Sequence, residues 1–450
     1  NQKRSQPMKG IDQAKRMYRN WLDCCCLLAV LCFGTSFGIV PTPAPDQGGP
    51  IALIGAVIHD GNGNIIGDGV ITFDEGIITE VGSADDAIDL QNHEVFDLQG
   101  RHVYPGLILP NTSLGLVEVN SVRATQDVVE EGDINASVRS AIAYNTDSEI
   151  IPTNRFNGIL TAQVAPQGGL LSGSSSVFKL DGWNWEDALL SEDVGLHLHW
   201  PGMKRRRRNP ESGQFERVVN ENYQGQTQLL HSLFQDAATY TGEPLNLNLQ
   251  ALQPVFSGNA KLFIHADEAK EIISAVRFAR SYGVRDIVLI GGAEAILVLD
   301  FLLAEKIPVI YERIHELPLR EWNDVDMPFK TPFLLHDAGI KVGIGGGATS
   351  IDRQRNLPFF AGTAAAYGVE RETALAMVTR INAEILGIQE RIGTLEVGKD
   401  ATLFISEGDA LDMRTSKVIG AFIQGRDIDL NGTQQQLYER FRDKYQNQVE

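Results

Sequence analysis

The stretch Lys261 to Ile310, KLFIHADEAKEIISAVRFARSYGVRDIVLIGGAEAILVLDFLLAEKIPVI, sets the architecture. Three apolar runs, 262–265, 286–290 and 308–310, have the length and content of buried strands. Between them, 267–282 and 293–305 carry apolar residues at helical spacing. Strands that alternate with helices imply a parallel sheet with crossover helices.

Outward from this stretch the rhythm persists. Runs 159–164 and 341–344 read as further strands, and the region from Tyr104 to Gly387 suits a closed (β/α)8 TIM-type barrel. In such a barrel function sits at the C-terminal ends of the strands. From Ile51 the pattern differs, with short β-rich runs separated by the turns Gly61-Asn62-Gly63-Asn64 and Asp74-Glu75-Gly76. His59 and Asp60 beside the first turn read as turn polarity. The strand-and-hairpin rhythm returns after Ile388. The expected organisation is a small β-sandwich domain drawn from both ends, 51–104 and 388–430, around a barrel at 105–387. A final helix at 431–450 should pack the face made by Leu437, Tyr438, Phe441 and Tyr445.

Composition excludes some roles. The chain has 450 residues, 43% hydrophobic and 22% charged, which is ordinary for a globular fold. Its net charge of −19 repels phosphate backbones, so nucleic acid is not an expected partner. The exception is Lys204-Arg205-Arg206-Arg207-Arg208, read as a solvated loop, with an anionic partner or lipid surface as the functional alternative. All four cysteines, Cys24, Cys25, Cys26 and Cys32, precede residue 33, so the body has no cysteine metal site or nucleophile. They lie in or beside the apolar run 24–40, which follows Lys9, Lys15, Arg16 and Arg19. That order is the pattern of an export signal or membrane anchor, with a Pro/Gly-rich linker at 41–50. The expected location is outside the cytoplasm, periplasmic or membrane-anchored.

Family resemblance begins at Gly100 to Leu116, GRHVYPGLILPNTSLGL. This resembles the first barrel strand of the amidohydrolase superfamily, in its imidazolonepropionase-like and dipeptidase-like branches. The pattern there is Pro-Gly-Leu-Ile-Asp-x-His-x-His. Pro105-Gly106-Leu107-Ile108 matches; Leu109 stands at the Asp, and Asn111 and Ser113 at the two His. Asn157 to Gly182 looks like the second-strand region, and LFIHADEAKEI like the fifth strand, with His265 at its metal-ligating position. DIVLIGGAEA looks like the sixth, with Gly291 at the His; KVGIGGGATS looks like the eighth, with Gly347 at the catalytic Asp. TRINAEILGI and GTLEVGKDATLF resemble the closing helix and the turn that follows it. The resemblance implies hydrolysis of C–N bonds in cyclic amides or dipeptide-like compounds, with one divalent ion, zinc, as cofactor. Of the family's four His and one Asp only His265 is present, and a catalytic zinc takes about three protein ligands plus water. No cofactor is therefore assured.

Other residues are candidates for a displaced site. His197 and His199 share a face if their segment is a strand, as metal ligands would. His265 stands with Asp267 and Glu268. Glu312, Arg313 and His315 follow the seventh strand, where Arg313 would clamp a substrate carboxylate. The expected catalytic set is His265, Asp267, Arg313 and His315. Asn111, Ser113 and Glu312 would bind substrate, and His265, His197 and His199 would hold metal. Ser172-Gly173-Ser174-Ser175-Ser176 reads as a flexible loop over the barrel mouth, without a nucleophile elbow. Two readings stay open: a hydrolase with an altered site, and a catalytically inactive barrel that binds a small ligand or a partner. A small-molecule substrate is the expected partner, with membrane attachment through the N-terminal segment and a homo-oligomer as further expectations.

Overall fold

The computed structural model describes residues 41–450, apart from 87, 211–212, 348–350 and 447–450. The export or anchor segment at 1–40 lies outside the described residues.

The chain opens with β1 (Ile51–His59), β2 (Ile65–Asp74), β3 (Ile77–Ser83), β4 (Glu94–Asp97) and β5 (His102–Pro105). It then lays down barrel strands β6 (Leu107–Thr112), β7 (Ile159–Val164), β8 (Leu171–Lys179) and β9 (Leu189–His199). A two-stranded ribbon, β10 (Lys204–Arg208) and β11 (Phe215–Val219), interrupts the barrel. Four more barrel strands follow: β12 (Lys261–Ala266), β13 (Ile287–Gly291), β14 (Val309–Tyr311) and β15 (Val342–Ile344). The chain returns through β16 (Leu403–Ser406), β17 (Val418–Ile423) and β18 (Arg426–Asp427).

Both ends of the chain share one eight-stranded sheet, ordered β18-β17-β16-β5-β1-β2-β3, with β4 also on β1. Phe73 on β2 meets Phe422 on β17 edge to face at 5.0 Å, although three strands separate them in that order. The sheet therefore folds over its own core, which includes Leu53, Ile71, Ile78, Val103 and Leu403. The turn after β1 is polar as expected, since Asp60 Oδ1 accepts from the Asn62 and Asn64 amides. His59 is no turn residue. It is buried, bonded to Glu372 at 2.9 Å and His102 at 3.0 Å, and stacked on Tyr104.

The second eight-stranded sheet is the barrel, ordered β15-β14-β13-β12-β9-β8-β7-β6. Seven strands are mutually parallel, but β8 runs antiparallel to both β7 and β9. The reason is length. Only residues 165–170 separate β7 from β8, whereas a parallel crossover takes a dozen or more. The Ser172–Ser176 segment is thus a buried strand and not a flexible loop.

No ladder joins β6 to β15 among the described residues; a side chain bridges them. Asn382 Nδ2 donates to Ile108 O on β6 and Ile344 O on β15, both at 2.9 Å. A Cβ at Gly343 would meet Asn382 Oδ1 at 2.0 Å, so the staple requires glycine there. The barrel and end-built sheet are tied by a buried charge cluster. Asp181 accepts from Arg155 at 3.0 Å, pairs with Arg426 of β18 at 3.2 Å, and accepts from the Ala44 amide.

Two other expectations change. Lys204–Arg208 is a strand, because Phe215–Val219 offers it an antiparallel partner. The final helix, Thr433–Gln446, forms but buries nothing. Leu437, Tyr438, Phe441 and Tyr445 are all exposed. No helix among the described residues is long and apolar enough to cross a membrane.

Candidate functional site

Alternation along a strand sends every second side chain inward. On β9 that puts His197 and His199 inside, and on the adjacent parallel β12 it puts Phe263 and His265 there, with His197 beside Phe263 and His199 beside His265. The three histidines meet. His197 Nδ1 lies 2.8 Å from His265 Nε2, and the His199 and His265 rings stack at 4.0 Å between centroids. His197 also stacks on Phe263 at 4.8 Å. Burial and the neighbouring histidines hold His197 and His265 well below the ordinary imidazole range, and burial takes His199 to about 4. The trio is neutral at physiological pH.

This arrangement does not fit a shared zinc. Two nitrogens on a tetrahedral zinc at about 2.0–2.1 Å lie roughly 3.3 Å apart and point at the ion, not at each other. Here 2.8 Å is a direct N–H···N hydrogen bond. His199 Nε2 is within 3.3 Å of Ser172 Oγ. Among the described residues no group of three or more His, Cys, Asp or Glu is placed to hold a metal ion.

Across the barrel a polar belt links five strands. Ser175 Oγ on β8 donates to Gly195 O of β9, and Gln163 Nε2 on β7 donates to Ser175 Oγ at 2.9 Å. Gln163 Oε1 accepts the Asn111 amide of β6 at 3.1 Å. Asn111 Nδ2 then donates to Glu312 Oε1, just past β14, at 2.9 Å. Asn111 adopts φ +48 where β6 leaves its register with β7, a conformation asparagine tolerates better than most residues. Its Oδ1 is buried without a partner.

Glu312 keeps a little surface open to a cavity but is otherwise enclosed by protein. That enclosure, opposed by the Asn111 bond and aided by the charges of Asp267 and Glu316, pushes its carboxyl up to about 8. The cavity is about 350 Å³ and is lined by His199, His265, Asp267, Glu268 and Glu312, with Ile290 and Gly291 also in its wall. A second cavity of about 790 Å³ adjoins it and shares Lys204, Arg217, Asp267 and Leu319.

The expected site residues divide between these spaces. His265, His199, Asp267 and Glu312 line the inner cavity. Arg313 and His315 line the outer one. His197 lies behind His265 and lines neither of the two. Ser113 is buried beside the Asn111 turn. Asp267 Oδ1 accepts the Ala293 amide at 3.1 Å and a Cβ at Gly291 would meet it at 2.9 Å, so glycine there makes room for the carboxylate. Arg313 is not a free clamp, since it pairs with Glu316 at 3.1 Å and Asp267 at 3.7 Å. His315, at φ +64, bonds Thr363 Oγ1 at 2.7 Å. Glu268 takes both Arg217 and Arg320. Gln163 escaped the sequence reading, and Ser175 is read there as part of a flexible loop. The signal was Gln163, a long amide side chain in the mostly apolar run ILTAQV.

A family model described as "Amidohydrolase family" matches residues 342–426. An imidazolonepropionase of Bacillus cereus is 31% identical over 101 residues, 21% of this chain and 24% of that protein. The chain thus spans about a quarter of the length of that curated relative. An amidohydrolase from Thermotoga maritima MSB8 superposes with a TM-score of 0.74 at 22% identity, over 84% of this chain and 99% of that one. A Xaa-Pro dipeptidase with methionine bound in its active site gives 0.55 at 13% identity, over 84% of this chain and 100% of that one. The family model and the imidazolonepropionase match each cover part of the chain, and the solved structures show that amidohydrolases share the fold described above.

Proposed function

We propose that the chain is an amidohydrolase-like hydrolase of C–N bonds, in cyclic amides or small dipeptide-like compounds, working in the inner cavity with a depleted metal site. The observation that carries this reading is Glu312. A carboxyl pushed up to about 8 keeps its proton at neutral pH, while a second carboxylate, Asp267, shares the same cavity. Two carboxyl groups facing one cavity are the usual acid–base pair of hydrolysis. In this reading water attacks the amide carbon and gives a proton to Asp267. The C–N bond breaks as Glu312 delivers its proton to the leaving nitrogen. His199 and His265, which line the cavity, orient the substrate carbonyl by hydrogen bonds, and Asn111 holds the Glu312 carboxyl. No step passes through a metal, because the donors present are bonded to one another.

The test is a panel of cyclic amides and dipeptides assayed with the chain and with Glu312→Gln. Loss of the acid should lower kcat by about 10² to 10⁴. Absence of hydrolysis across the panel would sink the enzyme reading. The direct His197–His265 hydrogen bond, in place of a ligand set, favours the other reading: a non-catalytic barrel that binds a small ligand or partner at the same mouth.

A further inference from the structure

The ribbon β10–β11 carries charge the reaction above does not use. Its ladder sets Lys204 opposite Val219, Arg206 opposite Arg217 and Arg208 opposite Phe215. Directly paired residues and those two apart share a face, so Lys204, Arg206 and Arg217 point to one side. All three line the outer cavity. On the other side Arg207 pairs with Glu216 at 2.8 Å.

The charge on the cavity side is lopsided. Arg313 and Arg353 join the ribbon's three cations there, against only Asp267 and Glu316. Arg313 and Arg353 both reach Glu316, and Arg217 reaches Glu268. Neither Lys204 nor Arg206 meets a carboxylate in any described ion pair; Arg206 lies over the Phe215 ring at 4.8 Å. Arg206 directly opposite Arg217 is a like-charge pair, which destabilises a ladder unless something offsets it. This concentration of cations occurs on a chain of net charge −19. Lys204 and Arg217 also line the inner cavity, so the cationic wall is continuous with the place assigned to the scissile bond.

We propose that the ribbon is the anion-binding wall of the substrate cavity, where Lys204 and Arg206, beside the Glu268-paired Arg217, seat an oxyanion, carboxylate or phosphate, carried by the substrate beside its C–N bond. The inference rests on the hydrolase reading only for which bond occupies the inner cavity; the anion preference is a matter of binding. An anion there relieves the Arg206–Arg217 repulsion and accepts the donors that the ribbon leaves unpaired.

The experiment measures equilibrium binding by calorimetry to three acetamide probes. N-acetyl-glutamate amide presents one carboxylate, N-acetyl-phosphoserine amide a phosphate, and N-acetyl-glutamine amide neither. At least one anionic probe should bind about tenfold or more tighter than the neutral one, less so at high salt. The preference should vanish in Lys204→Ala/Arg206→Ala and weaken in Arg206→Glu. Both ribbon positions are exposed, and circular dichroism and melting verify that each variant is folded. Equal affinity for all three probes, no binding of either anion, or a preference that survives in the double variant overturns the proposal. Capture of phosphatidylglycerol vesicles, abolished in the double variant while the small anions do not bind, overturns it in favour of a lipid surface. If the anion preference holds and nothing is hydrolysed, the hydrolase reading falls while the anion wall stands.

Discussion

Asn111 on the first barrel strand and Glu312 after the seventh meet across the barrel seam, with Asn111 Nδ2 donating to Glu312 Oε1 at 2.9 Å. Neither residue is a metal ligand of the kind the sequence pattern leads one to seek. Together they place a protonated carboxyl at the end of a hydrogen-bonded belt, and the first two predictions concern them.

Glu312→Gln should change how stability depends on pH. The folded carboxyl titrates near 8 against an ordinary 4.5. A raised folded value means the native state binds more protons, so the chain loses stability as pH rises from about 4.5 to about 8 and then levels. The neutral amide removes that slope. Urea unfolding at pH 5 and pH 8 should show the variant gaining on the native chain by a few kcal/mol, bounded by about 1.4 kcal/mol per pH unit. Parallel curves would show that Glu312 is ionised throughout.

Asn111→Gly should raise the alkaline limit of activity. The Asn111 bond holds the Glu312 value down against burial, so its loss keeps the proton on Glu312 to higher pH. Glycine accepts φ +48 without strain, which separates the electrostatic effect from a backbone one. Asn111→Ala should show the same pH shift plus a stability loss of about 1 kcal/mol. A pH–rate profile identical to the native one would break the link between the two residues.

Purified protein should contain far less than one zinc per chain, and chelator should leave its melting temperature unchanged. The reason is the 2.8 Å His197–His265 contact, which uses on itself the nitrogens an ion would need. Stoichiometric zinc lost in His265→Ala would show that the histidines turn apart to take a metal.

Asp181→Ala should be the most damaging of the substitutions proposed for stability. It strips the partner from Arg155 and Arg426, both buried, and unpaired buried charge costs about 3–5 kcal/mol. Thermal unfolding should fall by many degrees while the cavity residues stay in place. A change near zero would mean that water reaches both arginines.

Asn382→Ala should loosen the barrel seam. It deletes two hydrogen bonds, to Ile108 O and Ile344 O, in a fully buried position. The expected cost is about 2–4 kcal/mol, with faster amide exchange along β6 and β15. Unchanged exchange at both strands would show the seam held by packing alone.

Much of this molecule was written locally. The hydrophobic period alone separates strands from helices over 261–310, and hairpin chemistry marks Gly61–Asn64, because both signals act between residues close in the chain. The barrel was legible for the same reason, and the resemblance to the amidohydrolase pattern set Asn111, Ser113, Gly291 and Gly347 at the places where that pattern has His or Asp. Contacts between distant segments were not. Nothing near Ser172–Ser176 or Lys204–Arg208 announces a strand, since each depends on a partner: β7 and β9 for the first, Phe215–Val219 for the second. The helix at 433–446 shows the converse. Its spacing is local and it forms, but whether its face is covered depends on what lies beside it, and none of its residues is buried. Sequence by itself determined which side chains the barrel has to offer. Only the tertiary structure decided that His197 would spend its nitrogen on His265, and that Asn111 and Glu312, 201 positions apart, would share a hydrogen bond. Hydrogen bonds and burial are set by distances of a few ångströms, and chain separation carries no information about those until the barrel closes.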